Sequence, residues 1–304
     1  MAKEKCFQFH NSTVYVGTFD SLEDFLFYVR DENVNYLFVD KMASNSSDYY
    51  FTGTNSYEEA WNLCRYGMSE GFIQFADKFD SLNYYIDSQD RVEDYYSVSG
   101  FLPSVPRYLL NIPAAMHSYH VVKDNPTINI YMNFSYEAFT SKNAVKNRGI
   151  IVLSLIQYLE KKGYKINFYG FDLCHTSSNS ELLFLEVPLK KEYEKINLKL
   201  MYFPLVNSSF LRRLLFRAEE KMPLKSSEWV GGYGIPSRCE EAIEFLEAYQ
   251  KLKNLDQIIY ISSPDELGIY GKDLKEDYQR AIKKINQKYQ NIDIQKRKNM
   301  VNYG

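Results

Sequence analysis

The order of elements in the sequence predicts an α/β fold, an open and mostly parallel sheet with flanking helices, preceded by a smaller α+β N-terminal region. Three observations predict it. From Thr127 onward, β-type and helix-type segments alternate, the pattern of a sheet with helices on its faces. Residues 97–116 (SVSGFLPSVPRYLLNIPAAM) hold three of the nine prolines in a chain of 304 residues, and such a connector marks a seam between regions 1–115 and 116–304. Hydrophobic residues at 45% against 25% charged supply enough apolar surface for a real core.

In order, Cys6–Phe9 and Thr13–Phe19 read as strands. SLEDFLFYVRD follows as a helix capped by Ser21, with Glu23 and Asp24 favouring its first turn. Tyr36–Val39 is the next strand candidate. TNSYEEAWNLCRYG is a capped helix: Asn55 or Ser56 begins it, Glu58 and Glu59 occupy its first turn, and Gly67 ends it. FIQFADKFDSLNYY spaces its apolar residues at three and four and reads as a second helix. The proline-rich seam places Pro106, Arg107 and Tyr108 at the start of a short helix.

TINIYMNFSY then alternates as a strand, and NAVKNRGIIVLSLIQYLEKKG is a long helix with Val145, Gly149, Val152, Ile156 and Leu159 on one stripe. YKINFYGFDL completes a βαβ unit with a right-handed crossover. Residues 181–189 and 197–205 are two further strand candidates, and QIIYISS is the last. SSFLRRLLFRAEEKM, CEEAIEFLEAYQKL and KDLKEDYQRAIKKINQKY are helices.

Composition excludes several classes. A net charge of −3, with 36 basic and 39 acidic residues, disfavours a global grip on nucleic-acid phosphates, and the basic stretch Lys283–Lys298 is the clearest local candidate. Four cysteines at Cys6, Cys64, Cys174 and Cys239 show no metal-ligand spacing with histidine, so reduced thiols are expected and no metal or cofactor set emerges. No signal-peptide core opens the chain. Its longest apolar run, Ile150–Ile156, falls short of the roughly 20 residues that span a bilayer. AT-rich codon bias is the default explanation for much of the tyrosine and phenylalanine surplus, with no stacking function required.

The segments GTNSYEEAWNLCRYG, YYSVSGFLPSVPRYLLNIPAAM, INIYMNFSYEAF and RGIIVLSLIQYLEKKGYKINFYGF resemble an uncharacterised family of bacteriophage-encoded proteins. The likeness covers residues 50–170 and is most specific over Gly100–Met116. It implies a phage context, with the host cytoplasm or the virion as location, and carries no catalytic residues. The second half is more distantly similar to the von Willebrand factor A-like, Rossmannoid fold, whose first strand ends in Asp-x-Ser-x-Ser and holds a divalent metal. Here that stretch is Asn133-Phe134-Ser135-Tyr136-Glu137, so the resemblance implies the topology without the usual anionic cage.

Ligands of open α/β sheets bind beyond the carboxyl ends of the strands. Asn133, Ser135 and Glu137 after one strand, Asp172, Cys174 and His175 after the next, and Ser262, Ser263 and Asp265 after the last therefore form a candidate polar crevice, able to do acid–base or metal work if it converges. Ordinary turn chemistry at Asp172 and Asp265 is the competing reading. Cys174 and His175 are adjacent and point apart in an extended chain, which disfavours a nucleophile–base pair. His117 and His120 fall on opposite faces of a strand, so a shared metal is not expected. GGYGIPS (231–237) lacks the Lys-Ser/Thr of a phosphate loop. Arg107 with Tyr108, and Arg212 with Arg213, are candidate partner-binding residues.

The expected function is non-enzymatic contact with a phage structural protein or a host protein. A metal-dependent hydrolase or nucleotide-binding protein using the crevice is the first alternative, and nucleic-acid binding by the C-terminal helix the second.

Overall fold

A computed structural model describes residues 3–30, 49–89, 96–97, 102–110, 112–113, 115–117, 127–176, 181–225, 237–255 and 257–288. The strand candidate Tyr36–Val39, His120, the glycine-rich loop 231–236 and residues 289–304 lie outside them.

Six strands form one sheet in the order β1 (Lys3–Phe9), β2 (Ser12–Thr18), β8 (Glu181–Lys190), β7 (Lys165–His175), β6 (Thr127–Asn133) and β9 (Gln257–Ile261). Strands β1 and β2 are a hairpin in which Phe9 pairs with Ser12. The two-residue connection needs a left-handed residue to match the strand twist, and His10 supplies it with φ of 51°. The β2–β8, β6–β7 and β6–β9 pairings are parallel, whereas β1–β2 and β7–β8 are antiparallel. The carboxyl ends of β6, β7 and β9 therefore share one edge with the start of β8. Because β2 pairs with β8, the segments on either side of residue 115 share this sheet.

The expected βαβ unit is β6, α6 (Lys142–Lys161) and β7, with Ser141 capping the helix through the Ala144 N–H. Helix α6 is buried on most of its circumference rather than along one stripe. Gly149 permits this: a Cβ there would lie 2.9 Å from Leu205 Cβ and 3.2 Å from the Leu205 carbonyl oxygen. The N-terminal helices are α1 (Leu22–Arg30), α2 (Tyr49–Thr52), α3 (Tyr57–Tyr66) and α4 (Phe72–Gln89). Ser21 accepts from Asp24 N in α1. Ser56 caps α3 and Gly67 closes it with φ of 90°.

Residues 197–205 form a helix, α7 (Leu198–Val206), where alternation suggested a strand. Asn197 Oδ1 accepts from Leu200 N at 3.2 Å and so starts it. Met201 through Leu205 are all buried, so its apolar run is continuous and periodicity cannot separate helix from strand. The next expected helix begins as a π-helical segment (Phe210–Leu215) and continues as α8 (Phe216–Lys221). Helices α9 (Cys239–Lys253), α10 (Pro264–Leu267) and α11 (Leu274–Lys288) complete the second half.

One core cluster packs α1, α3, α4, α6, α7, α8 and α11 on one face of the sheet. On the other face Phe245, Leu246 and Tyr249 of α9 cover Val14, Val16, Phe171 and Phe184. The seam carries a small antiparallel sheet of β3 (Tyr96–Ser97), β5 (Met116–His117) and β4 (Leu102–Pro103) in that order, with α5 (Val105–Leu109) between β4 and β5.

Candidate functional site

The end of β6 turns inward. Asn133 is fully buried, and its Oδ1 accepts the Ser135 N–H at 2.8 Å, a local turn that leaves the Ser135 hydroxyl facing β7. That hydroxyl donates to Asp172 Oδ1. Strand β7 runs on to His175, so Asp172 lies within it and points to the same face as Gly170 and Cys174. Gly170 makes room for the turn: a Cβ there would fall 1.7 Å from the Phe134 ring.

Helix α8 adds Glu219, and donor atoms of Asp172, Cys174 and Glu219 all lie within 4.8 Å of one another. All are buried. Burial, and after it the charge of Asp172 and a hydrogen bond to it, raises the Glu219 pKa well above the carboxylate range. Among the described residues, Asp172 Oδ2 and Glu219 Oε1 meet no other hydrogen-bond donor, so a carboxylic proton between them satisfies both. Burial, then the charges of Glu219 and Asp172, likewise raises Cys174, which keeps it a thiol and a poor nucleophile. To hold a cation, this set has to surrender both protons, and it mixes hard oxygen ligands with one soft sulfur.

Arg148 of α6 stabilises the same strand ends from beneath. Its Nη1 donates to the Asn133 carbonyl at 2.8 Å and the Ser262 carbonyl at 3.3 Å, tying β6 to β9. Burial lowers its pKa to about 10. Neither Arg148 nor Glu219 was among the sequence candidates. For Arg148 the available signal was an arginine set on the apolar stripe between Val145 and Val152.

The candidate crevice divides instead of converging. Asn133, Ser135 and Asp172 meet in the interior. Asp265, exposed at the start of α10, accepts from Thr140 Oγ1 at 2.8 Å, and the exposed Glu137 accepts from Thr140 N through its carbonyl at 3.1 Å. His175 pairs with Glu241 of α9 beyond the opposite face. The physical reason is the pleat: residues three apart on a continuous strand face opposite ways, so Asp172 and His175 cannot share a site. Ser262 contributes its carbonyl, and Ser263 caps α10.

The two arginines of the π-helical segment part company. Arg213 is fully buried and clasps the turn before α3, with Nε to Thr54 Oγ1 at 2.9 Å and Nη2 to the Thr54 carbonyl at 3.0 Å. Arg212 donates to the Phe51 carbonyl and borders a cleft of about 500 Å³ at the carboxyl end of β6, whose walls include Tyr49, Tyr136, Lys142, Lys146 and Tyr202. On α5, Arg107 is half-buried and Tyr108 exposed.

No described helix is long and apolar enough to cross a membrane. Neither the curated proteins nor the solved structures compared with this chain include a match. One family model, described as a domain of unknown function (DUF7192), matches residues 3–290, and the chain belongs to that family.

Proposed function

We propose that the protein works by binding another protein through α5. The supporting observation is that Val105, Tyr108, Leu109 and Leu110 are 61%, 72%, 72% and 72% exposed, so four large apolar side chains stand in solvent within six consecutive residues. Exposed apolar side chains clustered in this way are characteristic of interaction surfaces. A protein partner suits it better than a polyanion or a lipid surface, because Arg107 is the one charge in Val105–Leu110 and the chain is acidic overall, with net charge −3.

The patch lies inside Gly100–Met116, the stretch that most specifically resembles phage-encoded proteins. On this reading the partner is a phage structural protein or a host protein, met in the host cytoplasm or the particle. A von Willebrand factor A-like ancestry for the second half is part of the same proposal. The placement of Asn133 and Ser135 at the end of β6 supports it, with the metal role replaced by the internal hydrogen bonds of the turn.

The test is affinity capture with the tagged protein and with L109D/L110D, from infected cells and purified particles, read by mass spectrometry. A protein recovered stoichiometrically by the native chain and lost with the variant supports the reading. Equal recovery by both, or no stoichiometric protein with either, overturns it.

A further inference from the structure

We infer that the cleft at the carboxyl end of β6 is a binding site for a small, multiply charged organic anion of the organic-phosphate class. This is a site separate from the α5 surface.

The cleft, about 500 Å³, lies where open α/β sheets bind their ligands, beyond a strand end and beside the first turn of the following helix. Its volume falls within the roughly 300–1,000 Å³ typical of small-molecule pockets.

Arg212 is the observation that points to the ligand. Its side chain is 6% exposed, and the guanidinium sits 4.2 Å from the centre of the Phe51 ring and 5.3 Å from that of Tyr136. Among the described residues its only hydrogen bond goes to the Phe51 carbonyl, and it forms no ion pair. The guanidinium is largely withdrawn from water with no counter-ion, and its remaining N–H donors are not enclosed by protein but open to the cleft, where an anion would meet them.

Two lysines reinforce the field. Lys142 Nζ stands 5.6 Å over the Tyr49 ring, and Lys146 projects from the next turn of α6 into the same space. Burial first and then the nearby positive Lys78 lower the Lys146 pKa, so its charged neighbour is another cation. Neither lysine forms an ion pair among the described residues. The acidic residue on the wall is Glu70, whose carbonyl accepts the Tyr202 hydroxyl at 2.9 Å. Three cations gathered at the amino end of a 20-residue helix favour more than one negative charge. The rings of Tyr49, Tyr136 and Tyr202 offer apolar walls for an organic body.

The experiment uses the full chain with pyrophosphate, ATP and adenosine as probes, followed by thermal shift and isothermal titration calorimetry. Pyrophosphate and ATP are expected to raise Tm and adenosine is not. K142E and K146E are each expected to weaken pyrophosphate binding by about tenfold, whereas K251E, on α9 across the sheet, leaves it unchanged. Lys142 is exposed and Lys146 half-buried, and circular dichroism of each variant checks that it has the native fold. Absence of binding to the native chain, or equal binding by K142E/K146E and K251E, overturns the inference.

Discussion

Glu219 keeps its proton because burial and the charge of Asp172 both oppose ionisation. The folded protein therefore holds a proton that the unfolded chain releases above pH about 4.5. Stability declines as pH rises from there towards the folded-state pKa. Glu186, raised in the same direction by burial, adds to this slope. Urea denaturation of native protein and E219Q between pH 4.5 and 8 is expected to show a shallower decline for the variant, which keeps the hydrogen bond and loses the titration. Superimposable slopes would place the proton elsewhere. E219A leaves the buried Asp172 Oδ2 without a donor, while the Ser135 hydroxyl still serves Oδ1, and should cost about 1–3 kcal/mol. Thiol chemistry gives a second check: a thiol reagent should modify the exposed Cys6 in the native state, and the buried Cys64 and Cys174 only on unfolding. Glu219 was not legible in the sequence, since FRAEEK reads as an ordinary helix end. Asn133, Ser135 and Asp172 were found by strand-end reasoning, yet their burial was invisible because it depends on α8, far along the chain.

Helix caps and strand patterns were the most readable elements, for their causes are local. Ser21, Ser56 and Gly67 do what their side chains, or lack of one, require. The α7 segment misled because tertiary burial erased its period, and only Asn197 carried a local signal. Replacing Ser56 with Ala is expected to cost about 1 kcal/mol in chemical denaturation through loss of the Glu59 N–H acceptor. G170A forces the Phe134 ring from its place against β7 and should cost roughly 1–3 kcal/mol, read as a lowered Tm. A G170A variant as stable as the native chain would show that the turn after β6 is less closely packed than its geometry implies.

For the molecule as a whole, the sheet's strand order was the part that periodicity could not supply. Strand order depends on which edges meet. Here β8 lies between β7 and the hairpin, antiparallel to one and parallel to the other. Removing residues 1–18 uncovers the β8 edge and the apolar side of Phe171 and Phe184 that Val14 and Val16 help to close. The truncated chain is expected to aggregate or lose cooperative unfolding, which light scattering and circular dichroism will report. A monomeric, cooperatively folding 19–304 would show that the hairpin is dispensable.

The same strand order sets a timetable for synthesis on the ribosome. The hairpin emerges early, but the first residue of its partner strand is Glu181, more than 160 residues after Thr18. At roughly 5–20 residues per second, β2 waits on the order of ten to thirty seconds with an unpaired edge. During that interval the nascent chain is most exposed to strand-to-strand association with its neighbours on a polysome, and chaperones that shield extended segments have their greatest effect.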